Sequence, residues 1–324
     1  MAISSVLRPL LLLLLACLGA MVLSVSIGSS AMDLGQTLAV LAGGGTELHQ
    51  TLILDLRLPR TLSAFATGGL LAVAGALMQV LLRNPLADPY VLGLSGGAAV
   101  GALLAMLAGL AGTLVSGSAF AGALLATVLV FGLAHGTGSW TPSRLLLTGV
   151  VLASGWGALI TLILAMTPAS RLPGMLYWLM GDLSHAAAPG PALGILLLVC
   201  LLVIPLGRTL NVLARGPMQA AALGVSVRPL EWLVYLLASL LTATAVTMAG
   251  SVGFVGLVVP HMLRLVLGND QRLILPACAL AGGGLLVLAD ALARVVIAPE
   301  QLPVGVITAL VGVPTFLYLL HRSR

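Results

Sequence analysis

Apolar runs of roughly 17 to 25 residues recur along the whole of this chain, and each is about as long as a helix needs to be to cross ~30 Å of hydrocarbon. Backbone groups in lipid must pair with one another, so only helices or a closed barrel can span. The runs are continuous in Leu, Ala and Gly and lack the alternation of barrel strands. The expected fold is therefore all-α: a polytopic membrane protein of about ten transmembrane helices, residues 1–324 forming a single transmembrane domain. With 60% hydrophobic and only 7% charged residues, there is more apolar surface than one soluble core can hide.

The expected spans are 9–30, 61–82, 93–112, 116–135, 144–167, 190–207, 230–249, 252–268, 273–297 and 304–321. Arg8, the following leucine run and "LLAC" at Leu14 to Cys17 resemble an export signal with a lipoprotein cleavage point. The apolar run continues to about Ile27, however, and many spans follow, so an uncleaved first helix is expected. Cys17, Cys200 and Cys278 stand singly in apolar runs and read as small buried hydrophobes with no metal or redox role.

All fourteen cationic side chains are arginine. The absence of lysine excludes a Walker lysine, a Schiff-base lysine and a lysine general base. A net charge of +5 invites a nucleic-acid reading, but the arginines are scattered singly between spans, which suits topology and no nucleic-acid partner. With both termini in the cytoplasm, Arg8, Arg83, Arg144, Arg208, Arg215, Arg228, Arg264, Arg272, Arg322 and Arg324 lie inside. Only Arg57, Arg60, Arg171 and Arg294 lie outside, while six of the nine acidic residues do. That bias is the one a bacterial inner-membrane protein shows. Arg57 and Arg60, in "DLRLPRTL" at 55–62, thus stand where cations are scarce and are expected to have a partner.

Four stretches carry information beyond hydropathy. "RNPLADPYVLGLSGGAAVGA" (83–102) breaks the chain sharply with two prolines and then opens a small-faced helix, which suits a gate. "RTLNVLARGPMQAAALGVSVRP" (208–229) is a substantial inner loop in which Pro217 can open and Gly224 end a short helix over Met218 to Leu223. Pro260 within "GFVGLVVPHMLRLVLGNDQR" (253–272) predicts a kink, and His261 beside it reads as structural. Asp290 and Arg294, four apart, share a helical face near the outer surface. Either Arg294 simply neutralises Asp290, or it keeps an edge to join Arg57 and Arg60 in an outward cationic patch.

"RLPRTL", "GALMQVLLRNPLADP", "LGLSGGAAVGA", "SRLLLTGV", "YWLMGDLSH", "ALGVSV", "GFVGLVVPHMLRL", "LPACALAGG", "LADALAR" and "LPVGVITALVGVPTFLYLL" follow one another from Arg57 to Leu320. In this order they resemble FecCD-type permeases, the membrane subunits of type II ATP-binding-cassette importers for vitamin B12, haem and ferric siderophores. The resemblance implies a homodimer of ten-helix subunits in the inner membrane, two cytoplasmic ABC ATPase subunits that carry ATP and Mg, and a periplasmic substrate-binding protein. It also implies no catalytic residue, metal or cofactor in this chain. Carried over, Arg57, Arg60 and Arg294 would dock the binding protein. Arg215, Pro217, Met218, Ala221, Leu223 and Gly224 would couple to the ATPase. Asn84, Leu86, Pro142 and Ser143 would form the cytoplasmic gate, where Pro142 departs from the small polar residues of the vitamin B12 permease.

Two other classes compete with this reading. A proton-coupled secondary transporter would need a membrane-embedded acid, for which Asp290 is the candidate. A rhomboid-like intramembrane protease would use Ser95 in "GLSG", but Ser95 sits at the start of its span and no histidine is evidently placed beside it. An iron chelate (ferric siderophore or haem) is the favoured cargo, and cobalamin the alternative, since "LPACALAGG" and "LADALAR" resemble the vitamin B12 permease pattern.

Overall fold

The structure of the protein is a computed structural model that describes residues 3–28, 32–134, 141–184 and 188–322. Among these residues there are helices and turns but no strand. Arg324, expected on the inner side, lies outside the described residues, as does the side chain of Pro142. The helices are α1 (Ile3–Ser26), α2 (Leu34–Leu41), α3 (Glu47–Gln50), α4 (Leu58–Leu81), α5 (Leu94–Leu107), α6 (Thr113–Ala134), α7 (Pro142–Met166) and α8 (Leu172–Met180). They continue with α9 (Pro189–Val203), α10 (Gly207–Leu213), α11 (Pro217–Ala222), α12 (Val227–Ala249), α13 (Val255–Leu267), α14 (Gln271–Ala293) and α15 (Val304–Arg322).

Each of the ten apolar runs contains a helix, yet they are unequal. Among the described residues six helices are long and apolar enough to cross a membrane, or seven if α9 and α10, bent by 72°, count as one span. The bend falls at Ile204 to Leu206, where Pro205 supplies no amide donor. The segments of α5, α13 and α15 are shorter. Fourteen residues in α5 rise only about 21 Å. Gly93, with φ +74°, starts that helix and Gly109, with φ +80°, stands just beyond its end, so the local backbone shortens what hydropathy alone makes a full span. The opposite correction applies at 31–60, expected as a connection. A π-helical turn at Thr51–Arg57 joins α3 to α4 in one apolar stretch from Glu47 to Leu81, 35 residues long.

α4 is the centre. Every residue from Ala66 to Leu81 is buried, which requires neighbours on all sides, and α14, α12, α13, α9 and α1 supply them. Its small residues permit that approach. Gly68 and Gly282 face each other, and a Cβ on either would collide with the carbonyl of the other. Farther along, Gly75 abuts the Gly256 carbonyl. Pro260, four residues beyond Gly256 in α13, has no N–H to give that carbonyl, so the packing of α4 covers a backbone oxygen that the proline leaves short of a donor. Gln79 Nε2 donates to the next carbonyl, Leu257, at 3.3 Å.

Replacing Gly68 by Leu therefore forces α4 and α14 apart and is expected to lower the thermal unfolding midpoint in detergent, at a cost of about 1–3 kcal/mol or more. Gly194→Leu, on α9, where a Cβ meets nothing within 4 Å, leaves the midpoint unmoved.

Candidate functional site

α4 runs from the Arg57 and Arg60 end of the molecule to Arg83 at the other, a rise of about 36 Å for its 24 residues. The expected site residues sort onto these two ends. At the first, Asp290 is fully buried on α14 and lies between two guanidinium groups. Arg60 Nη2 reaches its Oδ1 at 2.8 Å, and Arg294 Nε its Oδ2 at 3.1 Å. Arg60 Nη1 also donates to Gln301 Oε1 at 2.7 Å. Arg294 donates to the Ile27 and Ser24 carbonyls at 2.9 Å each and to Ser24 Oγ at 2.8 Å. Ser24 Oγ is 3.1 Å from Thr61 Oγ1 on α4.

Arg57 is buried too, and its Nη1 donates to the carbonyls of Val25 and Ser26 at 3.1 and 3.0 Å. A Cβ at Gly28 would stand 2.6 Å from Arg57 Nη2, so a side chain there would displace the guanidinium. The three arginines expected to dock a partner do come together, but they are turned inward. Two of them bind carbonyls around the end of α1, where a helix leaves its last acceptors unpaired, and Arg60, 15% exposed, keeps only a narrow edge to solvent. Of the two readings of Arg294, its pairing with Asp290 is the one observed, within a three-arginine, one-carboxylate cluster that ties α1, α4 and α14 together. Exposed charge on this face comes from Asp33, Glu47, Asp55 and Glu300 and from Arg171, which donates to the Leu107 carbonyl at 2.6 Å.

At the other end, Gly216 with φ +120° turns the chain into α11, Pro217 occupies its first turn and Gly224, φ +79°, follows its end. The helix expected over Met218 to Leu223 is found one residue earlier, at Pro217–Ala222. Met218 is 86% and Leu223 69% exposed, large apolar side chains offered to water on a surface otherwise rich in arginine; Ala221 and Arg215 are exposed beside them. A cleft of about 560 Å³ lies next to α11, bounded by Arg83, Asn84, Asn211, Arg215, Arg264 and Asp270 among others. Asn211 links its walls: Nδ2 donates to Asp270 Oδ1 at 3.0 Å, and Oδ1 accepts from the Gln271 amide at 2.8 Å. Arg272 beside Asp270 holds that carboxyl far below the ordinary carboxylate range.

The turn after α4 belongs to the same end. Arg83 adopts φ +50°, and its Nη1 is 3.9 Å from the Cβ position of Gly216. Asn84 Oδ1 accepts from the Leu86 amide at 2.9 Å, and Asp88 Oδ1 from the Tyr90 amide at 2.7 Å. Asp88 thereby caps a 3₁₀ turn, Pro89–Leu92, whose backbone lies against Gly149 of α7. Ser143 is exposed at the start of α7, capped by Thr141. So the 3₁₀ turn that follows Asn84 and Leu86 packs on α7, the helix that Pro142 and Ser143 begin. Ser95 lies in the first turn of α5, and among the described residues no histidine bonds to it. Gln79, Asn211 and Gln301 carry no local signal in sequence, whereas Asp88, between Ala87 and Pro89, reads with Asn84 as part of the chain break between the second and third spans.

The description of the FecCD transport family matches residues 12–322. The chain belongs to that family. It is 41% identical over 287 residues to the vitamin B12 import system permease protein BtuC of Yersinia enterocolitica, an alignment covering 86% of this chain and 84% of that one. Against the hemin transport system permease protein HmuU of Yersinia pestis, identity is 40% over 279 residues, with 84% and 83% covered. A solved metal-chelate type ABC transporter in an inward-facing conformation superimposes with a TM-score of 0.87 at 30% identity, covering 97% of this chain and 99% of the other. This FecCD chain is thus a multi-pass permease subunit of an ABC importer.

Two outcomes follow from this geometry. Asp290→Ala leaves two guanidinium groups facing each other and is expected to cost about 3–5 kcal/mol of stability; a double-mutant cycle with Arg294→Met recovers part of it. Burial raises the Asp88 carboxyl from 3.8 to about 6, against the bond it accepts from the Tyr90 amide. Folding therefore favours the protonated form, and its contribution is lost as pH rises from the ordinary carboxylate range to about 6. Asp88→Asn flattens the dependence of the unfolding midpoint on pH across that window.

Proposed function

We propose that this permease passes a metal chelate from a periplasmic binding protein to the cytoplasm, as one half of a homodimer driven by two copies of a separate ABC ATPase. The favoured cargo is an iron chelate, haem or a ferric siderophore. Cobalamin is the second reading, favoured by the relative named for vitamin B12 import. What supports a chelate is that the relatives are named for hemin and vitamin B12, both metals already held in a macrocycle. Among the described residues no three His, Cys, Asp or Glu side chains come together, so those residues present no cluster that would compete with the chelator. The arginine-rich end, with α11, is assigned to the cytoplasm because basic residues concentrate there.

The observation that carries the reading is α11 itself. A six-residue helix displaying Met218 and Leu223 to water, fixed between two left-handed glycines, is built as a knob for a partner's groove. A push on α11 has two routes inward: through Gly216 to Arg83 and the Asn84 turn, and through Asn211 to the start of α14. Rigid helices moving on glycine contacts then alternate access. At the opposite end Arg60 offers the docking edge, with Arg57 and Arg294 setting its position from behind. Contacts of that kind set register and encounter rate more than affinity.

Reconstitution with the ATPase and with binding proteins loaded with haem, siderophore or cobalamin decides the cargo: the cognate one stimulates ATP hydrolysis and uptake together. Met218→Asp combined with Leu223→Asp is expected to abolish co-purification of the ATPase without moving the unfolding midpoint of the permease. Retained coupling in that variant would remove α11 from the mechanism.

A further inference from the structure

A second cleft, of about 610 Å³, lies on the lipid-facing side between the N-terminal half of α1, α9 and α14. Its walls are apolar: Leu11 and Leu14 of α1, Leu197 and Ile204 of α9, Pro276 of α14, and Phe65 of α4 at its far end. We propose that this cleft binds an anionic phospholipid, with one acyl chain along the groove and the phosphate headgroup between Arg8 and Arg208. The site is independent of which cargo the permease carries.

The groove has the direction of a lipid tail. Its wall on α9 extends from Leu193 to Ile204, eleven residues and about 17 Å of rise, close to the hydrocarbon depth of one leaflet. That wall runs along the helix axes, from the interface where Arg8 lies towards the middle of the membrane. Only 22% of the α1 window is buried in the protein, so what fills this concavity is whatever surrounds the protein, and that is lipid.

The end of the groove selects the headgroup. Arg8 is exposed one turn before Leu11 on α1. Arg272 stands one turn before Pro276 on α14, and its side chain packs on Gly207, the residue before Arg208. Arg272 is already paired with Asp270 at 2.6 Å, which leaves Arg8 and the exposed Arg208 as the cations facing the headgroup layer. Basic residues between helices at the cytoplasmic surface favour anionic headgroups. A second copy of this chain fits the groove poorly. A twofold axis along the membrane normal sets like ends together, so Arg8 and Arg208 would meet their own counterparts.

The test is photo-crosslinking of the purified permease in phosphatidylcholine nanodiscs containing phosphatidylglycerol with a diazirine in its tail. Adducts are expected on the groove faces of α1 and α9, and unlabelled phosphatidylglycerol should compete about tenfold better than phosphatidylcholine. Arg8→Gln with Arg208→Gln, both at exposed positions, should erase that preference. Ala279→Trp, which fills the groove, should remove the adducts themselves. Adducts spread evenly over the lipid-facing helices, or equal competition by the two lipids, would overturn the site. So would a disulfide-linked dimer formed by Leu197→Cys under an added oxidant, since that places a second copy in the groove.

Discussion

Backbone-to-backbone contact around α4 is the constraint on which the rest of the molecule depends. In lipid there is no hydrophobic drive to bring helices together, so close approach and dispersion have to do it. Gly68 against Gly282 and Gly75 against Gly256 bring α14 and α13 onto α4 at distances no side chain would allow. The proline of α13 fits this scheme, because the carbonyl it deprives of a partner is the one that Gly75 covers. Position 75 and position 260, 185 residues apart, are thus parts of one packing solution.

The charged groups divide along the same axis. At one end a carboxylate with no solvent exposure is held by Arg60 and Arg294, and the spare donors of the arginines close the end of α1. Such a cluster joins three helices through directional bonds. At the other end arginines line an open cleft beside a short helix whose apolar side chains point into water. One end thus pairs its buried charge internally, while the other leaves arginines and large apolar side chains open to water.

Sequence conveyed the class of fold and the position of α11 well, because both follow from local rules: hydropathy over a bilayer's width, and proline before and glycine after a short helix. Span lengths were less legible. Hydropathy does not register that Gly93 and Gly109 adopt left-handed conformations, so α5 came out a full span on paper and 14 residues in space. The arginines were found but their direction was not. Arg57 and Arg60 read as displayed because cations are scarce at that end, and the Asp290 spacing offers Arg294 either a partner or a free edge; the acceptors of Arg57 and Arg294 at Ser24 to Ile27 are backbone atoms that no side-chain pattern announces. Asn211 is equally silent in sequence, since its partners are an amide and a capping carboxylate 60 and 59 residues away.

The Asp290 cluster also constrains how the chain is made. Arg60 is synthesised 230 residues before the carboxylate that neutralises it, and the α1 carbonyls that Arg57 and Arg294 bind come from the first helix of all. Arg57 finds its α1 carbonyls at once, but until α14 enters the bilayer the Arg60 guanidinium lacks its carboxylate and is held at the interface. A chain that ends before α14 therefore carries the Arg60 charge without its carboxylate partner, whereas the finished chain buries the pair.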